Sequence, residues 1–254
     1  MDKIGKLTGI LQRLNAGEDI AKVRQEAQQF LASIDATDLS FAEQKLMEAG
    51  LKPEDLRHLC SIHMEMLKDK AEELKKNLSP GHPVHTLICE HEEILGFLDE
   101  LEKVNQNIQR MNSYKKGSKD FQKLAHIAKH LVEADAHHQR EEDVIFPALE
   151  ERGVFGPPQI MRQEHEDLRR YKKIISKLAI KPGQMNFKNF KKKLDSTSKL
   201  LVLTLRDHIF KENNILYPTA VQVIKDKGVW EKLREKCDKI GYCCFTPKII
   251  GSSA

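Results

Sequence analysis

Apolar residues return every three or four positions along nearly the whole chain, and no stretch alternates β-branched with polar residues as a half-buried strand would. The pattern predicts an all-α protein. Four long helices are expected at about 83–110, 118–150, 157–180 and 186–225, parted by Lys116-Gly117-Ser118, Gly153-Val154-Phe155-Gly156-Pro157 and Lys181-Pro182-Gly183. Short connections between long helices give an up-down-up-down four-helix bundle. Ahead of it, short helices break at Asn15-Ala16-Gly17 and Ala49-Gly50, and a longer one runs from Pro53 to about Asn77. The turn formers Ser79-Pro80-Gly81-His82-Pro83 mark a boundary. The expected division is a small helical domain at 1–79, the bundle at 80–225, and a C-terminal helix and tail at 226–254 folded back on the bundle.

Composition narrows the class. With 40% hydrophobic and 31% charged residues the chain reads as globular, and no apolar run reaches membrane-spanning length. The start, Met1-Asp2-Lys3-Ile4-Gly5-Lys6, lacks a signal-peptide core, and five cysteines form no regular framework. A reducing, cytoplasmic setting without a membrane partner is expected. Net charge is only +4, and Lys191-Lys192-Lys193 reads as a solvated helix face, so no nucleic-acid partner is expected.

One short pattern occurs twice inside the bundle. His137, Glu141, an apolar pair, Phe146 and Pro147 return as His208, Glu212, an apolar pair, Tyr217 and Pro218, an offset of 71. Glu90-His91 returns as Glu164-His165, an offset of 74. Residues four apart share a helix face, so each His and Glu pair can grip one cluster. His91 and His165 lie about two turns into helices that begin at Pro83 and Pro157, whereas the other pairs lie near helix ends. In an up-down-up-down bundle those starts and ends meet, which places all six side chains at one level. Pro147 and Pro218 predict a kink or a helix end just beyond each glutamate.

A lone histidine on an amphipathic helix is usually an ordinary core or surface residue, but His91, His137, His165, His208, Glu141 and Glu212 as a repeated set predict a metal centre. Four imidazoles and two carboxylates, with no cysteine at matching spacing, favour paired iron, or manganese, over a structural zinc. If both glutamates bridge, the ions sit roughly 3.5–4 Å apart. One takes His91 and His137, the other His165 and His208. Because every donor follows the break at residues 79–81, the first region is not expected to be needed to form the centre.

On these residues the segment from Pro83 to Ala220 resembles the hemerythrin-like, HHE cation-binding family. The resemblance implies a four-helix bundle around two non-haem iron ions, with the six residues above as ligands. The ligand set is most similar to the repair-of-iron-centres proteins, which implies O2, NO or peroxide as the small ligand and a redox partner or iron–sulfur protein. Two departures separate the chain from oxygen carriers: Met161 and Arg169 stand where a further third-helix histidine would be, and Glu212 replaces an aspartate. Two similar, open ions that oxidise in air are therefore expected. The repair proteins place a cysteine pair before the bundle, whereas Cys243-Cys244 follows it here. Residues such as Ser40-Phe41-Ala42-Glu43-Gln44 and Gly81-His82-Pro83-Val84-His85-Thr86 make the first region similar to an uncharacterised helical domain often fused ahead of such bundles. An enzyme, a ligand-responsive module without turnover and an iron-handling protein all remain open, and turnover with a reductant separates the first two.

Several further groups are weighed around the donors. His85, His130 and His138 are candidates to support the ligand imidazoles, and Arg169 to supply charge at the mouth or lie solvated on the surface. Glu90, Glu142 and Glu164 are read as solvated helix surface, with support of the imidazoles as the alternative. Cys60 and His63, with His82 and His85, would make a second metal or redox site, although a buried cysteine beside a hydrogen-bonded histidine is the plainer reading.

Overall fold

A computed structural model of the chain describes residues 3–31, 33–51 and 70–247. Every regular element among them is helical. Three short helices open the chain: α1 (Lys3–Asn15), α2 (Ile20–Leu31) and α3 (Ala36–Glu48). Gly17 and Gly50 follow α1 and α3 at φ 87° and 99°, the left-handed region that favours glycine, so these breaks fall where expected. Helix α4 (Lys70–Asn77) precedes the bundle. The rest of the helix expected from Pro53, together with Cys60 and His63, lies outside the described residues.

The bundle consists of α5 (Pro83–Gln109), α6 (Lys119–Glu133) continued by α7 (Asp135–Arg140) and α8 (Phe146–Glu150), α9 (Gly156–Ile180), and α10 (Phe187–Lys211) continued by α11 (Tyr217–Val223). Each of the four long arms packs on two others, closing a ring. Pro83 sits in the first turn of α5, where no N–H is needed, and His82 Nδ1 accepts the Val84 N–H at 3.2 Å. The two internal prolines do not end their helices. A single π turn spans Glu141–Ile145, and another spans Glu212–Leu216. In each, the N–H of the following aromatic bonds to the carbonyl of the glutamate five residues back.

Two apolar cores flank one polar layer. At one end Leu98, Leu101 and Ile108 meet Phe121, Leu124, Phe190 and Leu194. At the other, Val84, Leu87, Val144, Phe146, Ile215 and Leu216 share a core with Leu7, Leu39 and Leu46 of the N-terminal helices. The arms pass from one core to the other at the histidines and glutamates, as where Ile88 and Ile94 bracket His91. Helix α3 lies against this site end. Ser40 and Thr219 hydroxyls are 3.1 Å apart, and Gln44 accepts the Phe155 N–H at 2.9 Å. A Cβ on Gly156 would meet the Gln44 Cβ at 3.3 Å, so glycine permits that approach. Helix α12 (Lys227–Ile240) follows, and Gly241 turns the chain so that Cys243 is buried back against the bundle. No helix among the described residues is long and apolar enough to cross a membrane.

Candidate metal centre

All six repeated donors meet in the polar layer, each at most 1% exposed. The imidazoles fall into the two expected pairs. His91 and His137 have ring centroids 4.6 Å apart, and His165 and His208 4.7 Å, with their Nε2 atoms at 3.0 Å. The glutamates lie between the pairs. Glu212 Oε2 is 3.2 Å from His91 Nε2, while its Oε1 is 2.9 Å from His208 Nε2 and 3.5 Å from His165 Nε2. Glu141 Oε2 is 3.4 Å from His137 Nε2 and 3.5 Å from His165 Nε2, and its Oε1 accepts the Tyr217 hydroxyl at 2.7 Å.

Outward from the donors, every Nδ1 is engaged. His137 donates to Glu90 at 2.7 Å, His165 to Glu142 at 2.7 Å, His208 to Glu164 at 2.9 Å and His91 to the Asn213 side-chain oxygen at 2.7 Å. An ionised carboxylate only accepts, so Nδ1 carries a proton and Nε2 is the nitrogen turned inward. This overturns the reading of Glu90, Glu142 and Glu164 as solvated surface. The surfaces of α5, the first π turn and α9 that carry them face neighbouring arms, and cations follow them inward. Arg140 donates twice to Glu90, at 2.6 and 2.7 Å, Lys211 donates to Glu164, and Arg169 donates to Glu142 at 2.8 and 3.0 Å. Burial opposes ionisation of these three carboxylates, but the imidazole bonds and the cations outweigh it and hold each at about 2.

The inner carboxylates are held differently. Burial, reinforced by the facing Glu212, pushes Glu141 well above the usual carboxylate range. Glu141 Oε2 and Glu212 Oε2 make no hydrogen bond. Burial works against a charge on His208, yet Glu212 and Glu164 raise it to about 9. Conversely, burial lowers His137 to about 3 despite its bond to Glu90, keeping that imidazole neutral. Buried charge without compensation costs several kcal/mol per ion. A set of inward imidazole nitrogens and carboxylate oxygens without hydrogen bonds fits cations, and two groups within it, His91/His137/Glu212 and Glu141/His165/Glu212, bring their ligand atoms within 4.8 Å of one another.

The surrounding candidates divide. His138 is buried and stacks on His165 at 3.9 Å with planes 6° apart, its Nε2 3.4 Å from the buried Lys172 amine. Arg169 is committed to Glu142 and Asp135 rather than to the mouth. His85 turns to Cys89, 3.7 Å away, and supports none of the donors. His130 does not follow the face of His137, because the helix is interrupted at Ala134 (ψ 0°) between them, and it faces Cys244 instead. His82 caps α5 and packs on Trp230 at 4.3 Å. Tyr217, Asn213, Arg140 and Lys211 are site residues that sequence reasoning passed over. Their signal was present, since Arg140/Lys211, Glu142/Asn213 and Phe146/Tyr217 all share the 71-residue offset.

Comparison with known families gives two matches. The family described as Hemerythrin HHE cation binding domain matches residues 82–220, over half of the chain, and the Family of unknown function (DUF438) matches residues 7–73. No curated protein matches the chain.

Proposed function

Because the chain belongs to the hemerythrin HHE cation-binding family, we propose that His91, His137, Glu141, His165, His208 and Glu212 hold two iron ions that react with O2, NO or peroxide. The observation that carries this reading is the convergence of four inward Nε2 atoms on two buried carboxylates whose Oε2 atoms lack hydrogen bonds. His91 and His137 would serve one ion, His165 and His208 the other, with Glu212 presenting one oxygen to each pair. Bound iron supplies exchangeable electrons and coordination positions for a small ligand. The chain supplies the rest. Outward Nδ1–H bonds orient each imidazole, and the two apolar cores keep water from the layer. The Tyr217 hydroxyl holds Glu141 Oε1 and lies 3.5 Å from His137 Nε2, so it is the one phenol able to offer a proton beside the His91/His137 pair.

A second reading, a ligand-responsive module without turnover, is favoured by one contact. Helix α3 touches the segment that carries Thr219, two residues past Tyr217. Anaerobic purification with iron analysis, followed by optical spectra on adding O2, NO or peroxide, tests the first reading. Two irons per chain and a spectral change with at least one ligand are expected. One tetrahedral zinc per chain, or iron indifferent to all three, defeats it. Sustained consumption of the ligand with an added reductant separates enzyme from module.

A further inference from the structure

Away from the six donors, the C-terminal segment closes against α6. His130 is fixed there by two phenylalanines: Phe97 stacks on it at 4.9 Å with planes 9° apart, and Phe245 meets it edge-on at 6.1 Å. Its Nδ1 lies 3.0 Å from Cys244 Sγ, Sγ lies 3.0 Å from Glu133 Oε2, and Nδ1 and Oε2 are 3.5 Å apart. A thiol, an imidazole and a carboxylate thus point at one another from two separate segments of chain.

We propose that His130, Glu133 and Cys244 form a second, peripheral site for a thiophilic divalent cation of the zinc class. Zinc bonds of roughly 2.0–2.3 Å in a tetrahedron place neighbouring donors roughly 3.3–3.8 Å apart, so the two contacts to sulfur need to widen by about half an ångström while the nitrogen and oxygen already stand at that spacing. Sulfur decides the preference. A thiolate beside imidazole selects zinc over harder cations, whereas the bundle centre offers nitrogen and oxygen alone. Water completes the fourth position, since His126, one turn before His130 with ring centroids 4.3 Å apart, meets the His130 ring edge-on rather than joining the cluster. Binding exchanges the Cys244 thiol proton for the cation and releases that proton to solvent.

The site would pin a segment that reaches the bundle centre from outside. Two residues past Cys244, the Thr246 hydroxyl donates to Glu90, the carboxylate that orients His137. Two residues before it, the Tyr242 ring lies 4.7 Å from the Arg140 guanidinium, which holds the same Glu90. A cation at Cys244 therefore fixes both ends of the strap over Glu90.

The full-length protein, loaded with iron under anaerobic conditions, is titrated with cobalt(II) as an optical stand-in for zinc. A thiolate-to-cobalt charge-transfer band saturating at one equivalent and erased by zinc is expected. Cys244→Ser should abolish the band, and His130→Ala should weaken cobalt binding by more than the roughly tenfold loss typical of removing an outer partner, both with wild-type iron content. Absence of the band in the wild type, its survival in Cys244→Ser, or unchanged affinity in His130→Ala overturns the assignment.

Discussion

His137 and Glu141 of the hairpin 83–150 correspond to His208 and Glu212 of the hairpin 156–223, and their neighbours diverge at the same offset: Arg140 against Lys211, Glu142 against Asn213, Phe146 against Tyr217. Glu142 reaches across to His165, whereas Asn213, its counterpart, reaches across to His91. Both imidazoles of the His165/His208 pair thus rest on carboxylates, but only one of the His91/His137 pair does. A carboxylate partner raises the basicity of an imidazole ligand, so equal donors need not bind equally. The proposed donor pairs are alike in residue type, and the asymmetry enters one layer out.

Removing an inner carboxylate tests the comparison most severely. Glu212→Ala withdraws the side chain that faces both imidazole pairs with separate oxygens, and iron should fall from two per chain to one or none. Glu141→Ala should lose less, because only one of its oxygens faces the imidazoles. Metal analysis that finds full iron in both variants would refute the centre.

Next in size is the contrast between Arg140 and Lys211. Arg140→Met takes the cation from the fully buried Glu90, leaving it only the His137 and Thr246 donors, a loss of the kind that costs up to about 3–5 kcal/mol, or roughly 6–20 °C in Tm for a chain of this size. Lys211→Met should cost less, since Glu164 is more exposed. Equal thermal shifts in the two variants would remove this part of the asymmetry.

The Glu142 and Asn213 pair sharpens the comparison in both directions. Glu142→Gln should weaken one binding step by roughly 10–100-fold, whereas Asn213→Asp should draw the two steps together. Competition with a chelator measures both, and two identical wild-type steps would show that the outer layer does not matter. The smallest effect is expected from Tyr217→Phe, which copies Phe146. It leaves the buried Glu141 Oε1 without its donor, costing the metal-free protein about 1–3 kcal/mol, while iron content stays unchanged. Denaturant melts of metal-free wild type and variant decide this.

The helices and the meeting of the repeated histidines and glutamates were legible because helical period and a repeated motif are properties of single segments. Glu90, Glu142 and Glu164 were misread because a carboxylate on an amphipathic helix gives no local sign of which neighbouring arm it will meet. Their cations, Arg140, Lys211 and Arg169, lie on other turns or other arms, and only the packed bundle brings them inward. His130 failed for a local reason, the interruption at Ala134, which no period count across residues 130–137 anticipates. The close fit of α3 to the site end rests on tertiary contacts such as Gln44 with Phe155, which neither segment announces alone.

The two π turns also constrain how such a chain can change in length. From 137 to 147 and from 208 to 218 the copies keep one spacing, 71, while the Glu-His elements upstream are 74 apart, so the copies differ in length only in the stretch between the two motifs. A π turn holds one more residue per hydrogen-bonded ring than an α turn, and that surplus brings Phe146 and Tyr217 under the glutamates. Deleting one residue there would restore α winding and leave the arm beyond nearly in register, because the π turn itself absorbs the extra residue. What such a deletion removes is local: the i to i−5 bond that seats Phe146 after Glu141 and Tyr217 after Glu212.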